Sequence, residues 1–238
     1  MPFRKLPNSD KQRTSALNSA VTRYEATTET DRLYPPTLHD PLVALHTEWT
    51  RKAGERDIAA ALQGTETAQA EVARLRLEQF VSHYFQVFQL GVARGDFERA
   101  DRTFYGLDFS QTDIPTFSTH EDLVLWARHI VDGDAARTAA KPKEPAMALP
   151  KAAEVGTALA TYLIEHTDQS AAGTAQAGVQ DEVAVMRPNV DALIREVWDT
   201  IEFNLRHEPG PDRRRMARAW GIVYVPRPGE APDPAPSA

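Results

Sequence analysis

The sequence predicts an all-α helical bundle of two related helical halves, a pseudo-two-fold arrangement with a short extended segment near the C-terminus. Three observations predict it. Long stretches lack helix breakers, since Ser9 to Thr30 has neither Gly nor Pro and Leu42 to Arg94 has no Pro. Apolar residues recur at steps of three and four in two segments, the period of one helix face. Alanine, the best helix former, supplies 35 of the 238 residues.

In chain order, residues 1–8 form an N-terminal extension and the first helical segment starts at Ser9. Pro35-Pro36 then breaks the chain. Thr37 is placed to cap a helix running through Leu42, Leu45 and Trp49. Farther along, Val72, Leu75, Gln79/Phe80, Tyr84, Val87 and Leu90 read as a core-facing stripe. Gly95, Gly106 and Pro115 mark a loop region. Ser118-Thr119-His120-Glu121 has capping-box spacing and opens a helix to about Val131. Lys141 to Pro150 is a Pro-containing linker. A second long region, Lys151 to His207, is interrupted only by Gly156, Gly173, Gly178 and Pro188. Its stripe is Val183, Met186, Val190, Leu193, Val197, Ile201 and Leu205. Ile222 to Val225 is β-branched and aromatic enough to be extended. Residues 226–238 carry five prolines and are expected to be disordered. The domain expectation is one helical-bundle domain over 9–225, with halves of about 36–107 and 151–222.

The halves resemble each other in layout. Their middles share Thr67-Ala68-Gln69-Ala70 and Thr174-Ala175-Gln176-Ala177, and both close on an aromatic, a glycine and an aliphatic residue. These closings are Phe104-Tyr105-Gly106-Leu107 and Trp220-Gly221-Ile222. Gly64 in one middle, and Gly173 with Gly178 in the other, suggest that each half turns there as a helical hairpin, because Gly inside a helix costs about 1 kcal/mol against Ala. One long helix per half is the alternative.

Composition removes several chemistries. There is no cysteine, hence no disulfide framework, thiol nucleophile or Cys-based zinc site. The formal charge of -7 argues against a general nucleic-acid coat. No apolar run approaches membrane-spanning length, and no apolar core follows the N-terminal basic residues, so a cytoplasmic location is the default expectation. Di-metal carboxylate bundles need Glu-x-x-His, whereas Glu78/His83 and Glu202/His207 are five apart. His39 and His46 are seven apart but have no acidic partner at helical spacing, so surface or capping roles are preferred. No nucleophile elbow or phosphate loop occurs. No catalytic residue, cofactor or metal is expected.

One charged feature stands out. Asp212 to Trp220 carries Arg213, Arg214, Arg215 and Arg218 against one acid, a local +3. Such a run can bind phosphate or carboxylate, but it equally forms a solvated face paired with Asp181, Glu182 or Glu196. Trp198 and Phe203 lie off the second stripe, where they either cover another helix or form an interface.

Arg4-Lys5-Leu6-Pro7-Asn8-Ser9-Asp10 with Ala16-Leu17, the ending Tyr105-Gly106-Leu107, and Trp220-Gly221 with Tyr224 and Pro228-Gly229-Glu230 resemble a set of alanine-rich bacterial proteins, helical and without an assigned function. The resemblance implies a helical fold and assigns no site residue; those proteins more often carry Tyr at the position of Trp220. The function expected is therefore a non-enzymatic structural or protein-interaction bundle, its partner another copy or another protein. A small-molecule- or metal-binding bundle, including an enzyme of that kind, is the alternative, and nucleic-acid contact through Arg213 to Arg218 a more distant one.

Overall fold

A computed structural model describes residues 2–110, 112–144 and 146–230. The chain is all-α. Helices α1 (Asp10–Glu25), α2 (Pro36–Arg94), α3 (His120–Ala140), α4 (Ala152–Asn204) and α5 (Gly210–Arg218) carry nearly all of it. Short 3-10 helices occupy Glu29–Asp31 and Arg99–Tyr105. The sole sheet among the described residues is a two-residue pair, β1 (Phe3–Arg4) against β2 (Tyr224–Val225), with Phe3 opposite Val225 and Arg4 opposite Tyr224. The expected extended segment near the C-terminus thus has a partner, and part of the N-terminal extension supplies it. The tail expected to be disordered lies outside the described residues from 231 onward.

The long regions are not hairpins. α2 runs unbroken through Gly54 and Gly64, and α4 through Gly173, Gly178 and Pro188. The four glycines meet open space on the side where a Cβ would stand. Each costs about 1 kcal/mol, but every further helical residue adds one hydrogen bond once the helix is nucleated. Alanine-rich neighbours keep that balance favourable. Two helix starts also differ from expectation. α2 begins at Pro36, whose fixed φ and missing N–H suit the first helical position, so Thr37 sits inside the first turn. α3 is capped by Thr119, not Ser118, with its hydroxyl accepting from Asp122 N at 3.1 Å.

Where one bundle is expected, the residues gather into two compact units. Unit 1 takes 1–60 with 176–238, and unit 2 takes 61–175. The expected halves, 36–107 and 151–222, are therefore not the compact units. Each unit draws the front of one long helix and the back of the other. Unit 1 buries Leu17, Ala20 and Tyr24 of α1 with Leu42 and Trp49 of α2 and the face Val183 to Leu205 of α4. Unit 2 buries Leu123, Ala127 and Ile130 of α3 with Val155 and Tyr162 of α4 and the face Ala73 to Phe88 of α2.

The two units repeat one pattern. In α2 the buried positions Ala70, Ala73, Leu77, Val81, Tyr84, Phe85 and Phe88 follow the same steps as Val183, Met186, Val190, Ile194, Val197, Trp198 and Ile201 in α4, with Met186 only partly buried. Leu42 and Trp49 are seven apart, as are Val155 and Tyr162. Ser9 and Thr119 cap α1 and α3 through the same contact, to the amide three residues on. This register differs from the one set by the shared Thr-Ala-Gln-Ala, which places unequal positions opposite each other.

The closing glycines show why they are needed. Gly106 and Gly221 have φ of 69° and 89°, a region other residues rarely adopt. A Cβ on Gly106 would lie 2.9 Å from His129 of α3, and one on Gly221 2.8 Å from Ser19 of α1. Each glycine lets a short closing helix turn back tightly onto its unit.

Candidate functional site

The basic segment is α5 and the turn after it. Pro211 in its first turn starts the helix, and Asp212 favours the positive end of its dipole. Asp212 accepts Arg215 at 2.9 Å, one turn along. Arg218 lies over the Tyr224 ring at 5.7 Å, Arg214 is buried and Arg213 half-buried. The four arginines therefore do not share one exposed face. Of the acids proposed as their partners, Glu182 instead pairs with Lys52 of α2.

The two aromatics part company. Trp198 is 1 % exposed and belongs to the unit 1 core, so it covers neighbouring helices; Phe203 is 62 % exposed with Arg206 over its ring at 4.1 Å. Trp198 escapes a single-stripe reading because the buried face is wider than one row, taking both Val197 and Trp198.

The first stripe is corrected by the structure. Val72, Leu75 and Leu90 are 68, 51 and 58 % exposed, while Ala73, Leu77, Val81, Phe85 and Phe88 are buried. The helical period puts Val72, Leu75 and Leu90 on the side away from those buried residues. This part of α2 carries apolar side chains on both sides, so periodicity finds two phases and the core takes the one with the aromatic rings.

Two concavities accompany these faces. In unit 1 a cleft of about 660 Å³ has Leu205, Met216 and Trp220 among its lining, with Arg23, Arg32, Asn204 and the acids Asp31 and Glu208 as polar groups. Arg32 is stacked over Tyr24 at 4.3 Å, and Asn204 Nδ2 donates to Leu33 O at 2.8 Å. In unit 2 a groove of about 290 Å³ runs between α2 and α4, past Arg76, Phe80, Glu154 and Thr161.

Unit 2 also holds a buried polar cluster that sequence reading missed. Tyr84 and Tyr105 hydroxyls donate to Asp134 Oδ1 at 3.0 and 3.2 Å and lie 3.0 Å from each other. Arg137 Nε donates to Tyr105 OH at 3.1 Å, and its guanidinium lies 4.7 Å from the Phe97 ring centre. Burial pushes both phenols up, so they stay protonated as donors. None of these four residues lines either concavity. The cluster ties α2, the 3-10 helix Arg99–Tyr105 and α3 together as a structural lock.

Unit 1 has a charged counterpart nearer the surface. Asp10, the first residue of α1, accepts Arg187 at 2.9 Å and Arg56 at 2.7 Å. Arg13 clamps Asp191 through two bonds of 2.8 Å. The Arg187 bonds outweigh burial and hold the Asp10 carboxyl below its ordinary range.

The histidine pair weighed from sequence does not converge on a metal. His39 stacks on Tyr24, ring centres 3.8 Å apart, and burial pushes it below its ordinary range. Among the described residues no group of three or more His, Asp or Glu side chains is placed to hold an ion. No helix of the described residues is long and apolar enough to cross a membrane. Comparisons with protein-family models, curated proteins and solved structures returned no match.

Proposed function

We propose that this chain is a non-enzymatic interaction protein that presents a helix face to a protein partner, another copy of itself or a different chain. One observation carries the reading: the back of α2 is apolar on both sides, and Val72, Leu75 and Leu90 remain exposed on the side that its own core does not use. Burying three such side chains against a partner contributes about 1 to 2 kcal/mol each. Tyr84, Asp134 and Arg137 of unit 2 bond to one another or through Tyr105 and line neither concavity, so this cluster supports structure and not catalysis.

The test replaces Leu75 and Leu90 together by Lys. Sedimentation across concentrations and quantitative cross-linking in cell extract are compared with the wild type. The reading expects a complex weakened at least tenfold in the variant, with the melting temperature within about 2 °C. A wild type that stays monomeric and loses no cross-linked partner on substitution overturns it.

The unit 1 cleft favours a second reading, small-molecule binding. Its lining sets Leu205, Met216 and Trp220 beside Arg23 and Arg32 and the oppositely charged Asp31 and Glu208, which suits a ligand carrying both charges. A metabolite panel read by thermal shift and Trp220→Phe fluorescence controls tests it, and saturable binding lost in Arg32→Ala supports it.

A further inference from the structure

We infer that unit 2 contains a two-histidine site for a divalent transition-metal ion, formed by His120 at the start of α3 and His166 in α4. The site is not legible from spacing, because the histidines lie on different helices. The fold brings their rings to 4.0 Å between centres, with planes at 80°. Both rings are half-buried.

The outer contacts prepare both rings. The buried Tyr162 hydroxyl lies 2.8 Å from His120 Nδ1. A ligating imidazole characteristically spends its other nitrogen on such a partner, which fixes tautomer and ring orientation. With Nδ1–H donating to Tyr162, the Nε2 lone pair of His120 is left for an ion. Ser170 Oγ donates to the His166 carbonyl at 2.9 Å and stands 3.4 Å from His166 Nδ1. Its lone pair can accept Nδ1–H, which leaves Nε2 of His166 for the same ion. Imidazole nitrogens suit Ni²⁺, Cu²⁺ and Zn²⁺. Two imidazoles on one ion place their ring centres roughly 4.5–5 Å apart, given metal–nitrogen bonds near 2.0–2.1 Å. A small side-chain rotation of His166, whose ring lacks the short Tyr162 contact that holds His120, opens the observed pair to that distance. Since no third His, Asp or Glu completes the set, water fills the other positions.

Comparison of the units supports the assignment. At the matching place in unit 1, Asp10 replaces His120, Trp49 replaces Tyr162, and Trp49 Nε1 donates to Thr14 at 2.9 Å. There the first turn of α1 is tied to both long helices by Asp10 with Arg56 and Arg187. Among the described residues His120 makes no ion pair, and a bound ion supplies the equivalent tie between α3 and α4.

The test uses the untagged full-length chain at pH 7.5, titrated with NiCl₂, ZnCl₂ and CuCl₂, and MgCl₂ as control. Expected are one transition-metal ion per chain, a melting temperature that rises with metal concentration, and a Cu²⁺ electron paramagnetic resonance spectrum with two nitrogen couplings. His166→Ala and His120→Ala should each weaken binding at least tenfold, and Tyr162→Phe several-fold, while His39→Ala leaves it unchanged. Circular dichroism checks that each variant is folded. No transition-metal shift in the wild type overturns the assignment. So does full binding in the His120→Ala/His166→Ala double variant, and so does a spectrum without two nitrogens.

Discussion

In unit 1 the first turn of α1 is held by charge, and in unit 2 the first turn of α3 is held by rings. Asp10 gathers Arg13, Arg56 and Arg187, whereas His120 meets Tyr162 and His166. The deeper layers reverse this. Unit 1 closes on Tyr24, Tyr34 and Trp220, with Tyr24 tilted against Tyr34 and Tyr34 edge-on to Trp220; unit 2 buries Tyr84, Tyr105 and Arg137 around the partly buried Asp134. The same backbone pattern therefore tolerates either a polar rim over an apolar interior or an aromatic rim over a polar interior. Arg74 and Glu78 show how strongly register outlasts chemistry. They stand where Arg187 and Asp191 stand in unit 1, but α3 offers them His120 and Leu123 in place of Asp10 and Arg13. Arg74 turns instead to Glu71 and Glu78 on its own helix, at 2.8 and 2.7 Å.

The contrast between interiors gives the largest expected effect. Asp134→Ala leaves two buried hydroxyls without their acceptor and Arg137 without that carboxylate. Removing one partner of a buried ion pair costs about 3 to 5 kcal/mol, and the 15 % exposure of the Asp134 side chain favours the lower end. Tyr24→Phe, at the matching depth of unit 1, removes a hydroxyl that has no hydrogen-bond partner among the described residues. That change should be neutral or slightly stabilising. Urea unfolding of both variants measures the difference. Equal costs would mean that the two interiors are not built on different principles.

Sequence reading reached some of this and missed the rest for identifiable reasons. The stripe from Val183 to Leu205 was legible because its steps of three and four run unbroken over the whole segment and its residues face the unit 1 core. The matching face of α2 was not, since Val72, Leu75 and Leu90 supply a second apolar phase that the core leaves outside. Gly173 and Gly178 suggested a turn because local cost was visible and the gain from continuing the helix was not. The turns after Tyr105 and Trp220 were legible because Gly106 and Gly221 both take positive φ. The Tyr84–Asp134 lock and the His120–His166 contact join residues 50 and 46 positions apart on different helices. No periodicity within one helix can show such pairs.

The rim of unit 1 gives a smaller and pH-dependent effect. Asp10→Asn keeps the shape but removes the charge that meets three guanidinium groups. The groups are partly solvated, so the loss is about 1 to 2 kcal/mol. The Asp10 carboxyl is held below its ordinary value, chiefly by its hydrogen bonds to Arg187. Its stabilisation is therefore fully present above about pH 4, the unfolded value, and is lost as pH falls through the lower folded value. Wild type and variant should converge in stability once the pH lies below the folded-state value of Asp10. A gap that persists there would show that Asn disturbs packing, not charge.

The smallest effect sharpens the comparison where each long helix begins. His39 of α2 lies on Tyr24 and 3.4 Å from Tyr34 OH, whereas the matching residue of α4 is Ala152, which cannot titrate. Burial is the main cause lowering the His39 value; the nearby Arg32 charge acts the same way, and Glu25 and Asp40 oppose it. The folded state then binds fewer protons than the unfolded chain. Stability should fall as pH drops from the ordinary histidine value of about 6.5 toward the lower folded value. The expected amplitude is below about 1 kcal/mol, and His39→Phe, which keeps the stack on Tyr24, should flatten that part of the profile. Urea midpoints from pH 7.5 to 5 read it directly. A profile unchanged in His39→Phe would show that the slope does not come from the Tyr24–His39 stack.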